Sequence, residues 1–426
     1  MLDVVKKLCS EIELPQMLQI KQKFDPQHIE PDDIPSSIAA EMSKPNVSGA
    51  IKPKQRVAIT CGSRGLANHA LITKSIVDYV KSKGANPIVI PAMGSHGGAT
   101  AEGQRELLAR YGVTEAYIGC PIVSSMETVE IGVSEEGHRV RLDKHASESD
   151  AIIVAHRVKP HTDFRGPYES GLMKMLAIGL GKQEGAFVCH QAGFAKMHHM
   201  VPLFGKTIIK NAPIAMGLAI IENSYHQTCR FEALTPQEII DKEPELLEYA
   251  KSRMPKILLE SCDILVVDQI GKDISGDGMD PNVSGAAICT PFIKGGLKAQ
   301  RTVVLGLSKE THGSAVGMGL AHATTRRLFD KIDYDATFVN AITSRIIDHM
   351  RIPPVMDCDK EAIQFAAISA AAVDLKNLRI IRILDTMHVE KIWISEALKA
   401  EAEKHPDVEI LSALEPFQFD GNGNLF

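Results

Sequence analysis

No apolar run in this sequence approaches the roughly 18 residues a membrane-crossing helix needs, no block of lysine and arginine stands out, and no two cysteines are spaced Cys-x-x-Cys. The first absence argues against a membrane protein. The second, with a net charge of −6 and a sequence pI of about 6.3, argues against nucleic acid as a partner, because binding it requires a basic face. The third excludes a zinc ribbon, an iron–sulfur cluster and a secreted disulfide framework, and the eight scattered cysteines read as small core residues. The N-terminus, Met1-Leu2-Asp3-Val4-Val5-Lys6-Lys7, lacks the basic-then-apolar layout of a signal peptide, so a cytoplasmic location is expected.

What is present is the balance of a globular protein: 426 residues, 44% hydrophobic and 23% charged. That length predicts two domains. From residue 56 onward short apolar runs alternate with helical patterns. Arg56-Val57-Ala58-Ile59-Thr60 precedes a loop, Cys61-Gly62-Ser63-Arg64-Gly65, and a helix is predicted over Asn68 to Lys83. Pro87-Ile88-Val89-Ile90-Pro91 leads into Gly94-Ser95-His96-Gly97-Gly98-Ala99-Thr100, where Thr100 reads as the N-cap of a helix through Ala109. Ala151-Ile152-Ile153-Val154-Ala155 repeats the motif before His156 to His161. Strands alternating with helices imply parallel sheets, whose ligands bind at the carboxyl ends of the strands.

Thr235-Pro236-Gln237-Glu238 opens a charged helix ending near Met254-Pro255, a connector between domains at 1–256 and 257–426. The second domain resumes the rhythm at Ile264-Leu265-Val266-Val267, at Thr302 to Leu307 and at Ile380 to Leu384. Met17-Leu18-Gln19-Ile20 is read as an edge strand of the first. The expected architecture is α/β, two domains with mainly parallel sheets and an active-site cleft between them.

Several motifs compete with plainer readings. The glycines around His96 would suit a tight turn alone, yet a histidine at a strand's carboxyl edge is a good acid/base candidate, since imidazole exchanges protons near neutral pH. Singly, His190 reads as a satisfied buried histidine; beside Lys159, His161, Lys174, His198 and His199 it reads as a ligand. No His-Glu-x-x-His is present, so any metal must be gathered by the fold. Gly179-Leu180-Gly181-Lys182-Gln183-Glu184-Gly185 nearly matches a dinucleotide fingerprint but follows a helix-like run, which disfavours an NAD-linked oxidoreductase. Asp273-Ile274-Ser275-Gly276-Asp277-Gly278 lacks the terminal bidentate Glu of a calcium loop, its twelfth position being Ser284.

Four motifs in order resemble the nickel-dependent lactate racemase family: Pro91 to Thr100, Val158-Lys159-Pro160-His161, Ser170-Gly171-Leu172-Met173-Lys174, and Cys189-His190. The resemblance is best over residues 55–230. It implies an isomerase, a 2-hydroxyacid racemase or epimerase, that uses a nickel-pincer nucleotide (pyridinium-3-thioamide-5-thiocarboxylic acid mononucleotide with nickel) covalently held by Lys174. It makes His190 the protein's nickel ligand and His96 and His161 the acid/base pair. Ser63 and Arg64 would lie near the cofactor phosphate or the substrate carboxylate. Inversion at C2 would pass through hydride transfer to the pyridinium and a planar 2-keto acid, the cofactor doing the hard step. Imidazole suits nickel(II) in a square-planar site.

The chain departs from that family in three places. Cys61 stands where an aspartate is usual, the spacer from His161 to Lys174 is longer, and Gly271 to Asp280 replaces the loop that grips lactate. Lys272 in that loop would pair with a substrate carboxylate, and Asp273, Asp277 and Asp280 would accept from extra hydroxyls, so a polar 2-hydroxy acid is expected rather than lactate. The competing reading is a non-catalytic protein that binds or delivers the nickel nucleotide. Beyond the substrate, the expected partners are transient ones, the proteins that make the cofactor, with an oligomer left open.

Overall fold

Two sheets organise the chain, and each anchors its own compact unit: Pro26–Met254 is one, and Met1–Asp25 with Pro255–Phe426 is the other. In the computed structural model residues 3–287, 293, 295–344 and 346–426 are described. Cys289 lies outside them; the other seven cysteines are free, and all but Cys358 are buried.

The Pro26–Met254 unit is built on five strands in the order Asn86–Pro91, Arg56–Cys61, Ala151–Arg157, Ile214–Glu222, Thr228–Leu234. The first four are parallel and the last is antiparallel to its neighbour. Successive side chains in a strand point to opposite faces, and here both faces are covered, as a parallel sheet requires. Ala58, Ile88, Ile90, Ile152 and Val154 join one apolar cluster with Leu172, Leu176, Phe204 and Leu247. Val57, Ile59, Val89, Ile153 and Ala155 join the other with Ile34, Ile38, Ile76 and Val80. Each such fully buried aliphatic side chain stabilises by about 1.5–3 kcal/mol relative to exposure.

Local signals set the helix boundaries. The helix predicted from Asn68 runs His69–Ser82. Thr100 caps Ala101–Arg110 by accepting from the Gly103 N–H at 3.0 Å. Thr235 and Glu238 close a capping box at the start of Pro236–Arg253, satisfying two orphan N–H groups reciprocally.

The other unit holds eight strands. Val355–Met356, Ala323–Thr325, Lys298–Val304, Ser261–Val267 and Ile380–Ile383 are parallel; Lys391–Ser395, Met17–Gln22 and Val408–Ile410 continue the sheet antiparallel. The segment around Met17 is therefore not an edge strand of the first domain. It lies between Lys391–Ser395 and Val408–Ile410, buries Leu18 and Ile20 among Ile381, Ile392 and Ile394, and makes the first 25 residues part of the second unit. Nothing in the alternation of Met17 to Gln22 names its partner strand, which is nearly 400 residues away. Among the described residues no helix is long and apolar enough to cross a membrane.

Candidate functional site

Because four strands of the Pro26–Met254 unit are parallel and in register, their carboxyl ends share one edge. Cys61 pairs with Pro91 and Ile59 with Ile153. The loops that follow carry Ser63 and Arg64, then His96, then His161.

The His96 loop is tightly wound. Gly97 has a φ of +65°, and a Cβ there would meet the Gly103 carbonyl carbon at 2.6 Å, so the position requires glycine. The Met93 carbonyl lies 2.8 Å from His96 Nδ1. A carbonyl only accepts, so Nδ1 carries a proton, and in a neutral ring Nε2 is the nitrogen that accepts.

His161 is set the opposite way. Its loop closes through a backbone pair, the N–H of Lys159 donating to Ser170 and that of Ser170 to Lys159, at 2.9 and 3.1 Å. This pairing returns the chain to the Lys174 turn. The buried Glu169 carboxylate accepts from the His161 N–H at 2.8 Å and forms an ion pair with Lys251 at 3.1 Å. The Asp163 N–H donates to His161 Nδ1 at 3.0 Å, leaving a neutral ring its proton on Nε2. Nε2 faces Lys174 Nζ at 2.6 Å. Burial first, then Lys174, Lys159, His190 and Arg165, hold the His161 pKa well below its ordinary 6.5.

Lys174 ends a short turn, Leu172–Lys174, that continues through a wider helical turn, Met175–Gly179, into the helix Lys182–Gln191 that carries His190. Glu243, on Pro236–Arg253, fixes the start of that turn: it accepts from the Met173 N–H at 2.9 Å, and a Cβ on Gly171 would meet its Oε1 at 2.0 Å. Burial pushes Glu243 up to about 8, opposed by the backbone N–H groups of Met173 and Leu172. His190 stacks on Phe194 with ring centroids 5.7 Å apart, and His161 approaches the same ring at 6.3 Å. Cys189 is buried, its thiol pushed up to about 12 by burial, so it is no thiolate ligand at neutral pH.

His161, Lys174 and His190 are thus brought together, with Ser63, Arg64 and His96 on the neighbouring strand-end loops. Ser63 accepts through its carbonyl from Tyr111 at 3.2 Å, and Arg64 is half-buried. Cys61, in place of an aspartate, is a buried thiol 3.1 Å from His69 Nε2 and pushed up to about 12 by burial. Lys182, the other lysine in this segment, is fully buried against Asp143 at 3.2 Å and is not open to a ligand.

Lys272 belongs to the other unit, in the loop after Ser261–Val267. Its ammonium donates to the Gly276 carbonyl at 2.6 Å. Asp273 accepts from Ser308 at 2.6 Å and Asp280 from the Asn282 N–H at 2.9 Å, while no described residue hydrogen-bonds the buried Asp277 Oδ2. Asp273 is exposed, while Asp277 and Asp280 are buried.

Sequence reasoning passed over Glu169, Gln104 and Glu243. Glu243 had a signal: it lies on the stripe of Ile239, Leu246, Leu247 and Ala250, where a carboxylate requires a partner.

Two doubly covered α/β sheets, one with basic and imidazole groups along its strand-end loops, define the fold, and in parallel sheets that strand-end edge is where ligands bind. Residues 9–200 match the lactate racemase N-terminal domain. The fold is similar to the lactate racemase apoprotein of Thermoanaerobacterium thermosaccharolyticum, with a TM-score of 0.51 and 15% identity over 88% of this chain and 99% of that one. It is also similar to a Thermotoga maritima protein of known crystal structure, with a TM-score of 0.50 and 9% identity over 86% of this chain and 99% of that one. No curated protein matches the chain.

Proposed function

We propose that this protein inverts C2 of a 2-hydroxy acid, with a nickel-pincer nucleotide held covalently on Lys174 and its metal on His190. The residues present fit such a group. Lys174 Nζ lies 2.6 Å from His161 Nε2, and Lys159, Lys174 and Arg165 set positive charge near His161, suited to a phosphate or thiocarboxylate. His190 offers an imidazole nitrogen, a ligand nickel(II) accepts. When bound, the nucleotide supplies an acceptor for the C2 hydride.

The observation that carries the reading is the opposed setting of the two histidines. His96 keeps an Nε2 lone pair and can take the hydroxyl proton; His161 presents an Nε2–H and can donate to the oxygen at C2. An acylated Lys174 nitrogen accepts no hydrogen bond, so a His161 Nε2–H beside it needs another acceptor, the role a substrate oxygen fills. Arg64 would steer the substrate carboxylate.

For the substrate we favour a polar 2-hydroxy acid over lactate. Asp277 and Asp280 of the Gly271 to Asp280 loop are buried carboxylates, and buried carboxylates that face a substrate discriminate against one lacking the hydroxyls to pair with them. Lys272 would reach a substrate only by leaving Gly276. Loaded enzyme incubated with single enantiomers of lactate, hydroxy diacids and sugar acids, followed by chiral chromatography, tests both parts. Inversion of a polyhydroxy acid faster than lactate is expected; faster lactate would sink the substrate reading, and no inversion by loaded enzyme would favour a nucleotide-delivery protein.

A further inference from the structure

A chain of buried polar contacts joins the His96 loop to the segment between Lys174 and His190. Gln104, fully buried on Ala101–Arg110, donates through Nε2 to the carbonyls of Gly94 at 3.0 Å and His96 at 3.2 Å. Its Oε1 accepts from Lys182 Nζ at 3.2 Å. Lys182 also donates to the Pro91 carbonyl, the last residue of the strand before the loop, and pairs with the fully buried Asp143. Asp143 is itself fixed, since it caps Lys144–Ser147 by accepting from the Ala146 N–H at 2.9 Å.

The cost of this arrangement argues for its use. A fully buried ammonium is among the dearest groups to desolvate, and an apolar side chain of similar volume would hold the helix at least as well. Lys182 also adopts a left-handed backbone with φ of +53°, which a non-glycine residue adopts only under constraint. It sits at the first turn of the helix that carries His190. The backbone repeats the link, the Gly94 N–H donating to the Gly179 carbonyl at 3.2 Å.

We propose that Gln104, clamped by Lys182 and Asp143, is a positioning residue that fixes His96 relative to the Lys174–His190 segment. The relay itself stands on this unit's geometry; its bearing on turnover rests on the reading of His96 as an acid/base group.

Two measurements keep those apart. The first uses the full-length protein without cofactor. Gln104→Met removes both donated bonds at nearly constant volume, and amide exchange should quicken about tenfold across residues 94–100, as loss of two modest hydrogen bonds implies, with Ala151–Arg157 unchanged. Unaltered protection of 94–100, or equal loosening of Ala151–Arg157, would overturn the relay. If Gln104→Met does not fold, Gln104→Glu retains an acceptor for Lys182 and carries the same expectation. The second uses loaded enzyme in a double-mutant cycle. Gln104→Met should lower kcat with KM and the Lys174 adduct retained, and should cost nothing further in a His96→Ala background. Additive losses would show that Gln104 does not act through His96. A His96→Ala enzyme with undiminished turnover would instead overturn the acid/base reading, leaving the exchange result standing.

Discussion

Replacing Glu243 by glutamine should make the Pro26–Met254 unit more stable, and increasingly so as the pH rises. Glu243 lies under the turn that presents Lys174, is buried, and is pushed from an ordinary 4.5 to about 8. Below pH 4.5 the residue is protonated in both folded and unfolded chains and contributes no pH dependence. Between 4.5 and 8 the unfolded chain gives up its proton while the folded one keeps it, so stability falls as the pH rises. At about 1.4 kcal/mol per pH unit, the interval between 4.5 and about 8 corresponds to at most about 5 kcal/mol. Glutamine keeps a carbonyl to accept from the Met173 N–H and never ionises, so the variant lacks this loss. For a unit of this size the difference corresponds to roughly 10–20 °C in Tm at full development. Melting curves of both proteins from pH 5 to 9, read at the transition of this unit, should diverge steadily until about pH 8 and then run parallel. Curves that stay parallel throughout would show that the carboxylate is ionised at neutral pH and that the buried acid reading is mistaken.

Protein made in a host that produces the cofactor should carry an added mass on Lys174 and close to one nickel per chain, both lost in Lys174→Ala when intact mass and metal content are measured. His190→Ala should lose nickel and activity while remaining folded by circular dichroism; retained nickel with lowered Tm would make His190 a packing residue. His96→Ala and His161→Ala should keep the adduct and each lose about 10²–10⁴ in turnover, the usual range for general acid/base groups. Gly171→Ala should displace Glu243 Oε1 and reduce adduct formation on Lys174 at unchanged nickel supply, as mass spectrometry of the two proteins would reveal.

Much of the strand-end arrangement was legible because its signals are local. Apolar runs mark Arg56–Cys61, Asn86–Pro91 and Ala151–Arg157, glycine-rich loops follow them, and a parallel sheet brings those loops to one edge. Thr100 and Thr235 announce helix starts through side chains that bond three residues onward. Long-range pairings left no such trace. The Met17–Gln22 strand meets Lys391–Ser395, and Lys182 meets Asp143 and Gln104, because of how distant elements pack, not because of any nearby spacing. The opposed protonation of His96 and His161 is likewise set by a carbonyl three residues back in one case and an N–H two residues onward in the other, details of loop conformation below the resolution of a motif.

The placement of Met17–Gln22 bears on how the molecule is made. A ribosome releases this strand long before its two neighbours, Lys391–Ser395 and Val408–Ile410, exist. The whole Pro26–Met254 unit can be synthesised and fold, as domains commonly do during translation, while the first 25 residues wait with Leu18 and Ile20 uncovered. Leu18 and Ile20 therefore stay uncovered for as long as translation takes to reach Val408–Ile410, and are sheltered only when the sheet closes around them.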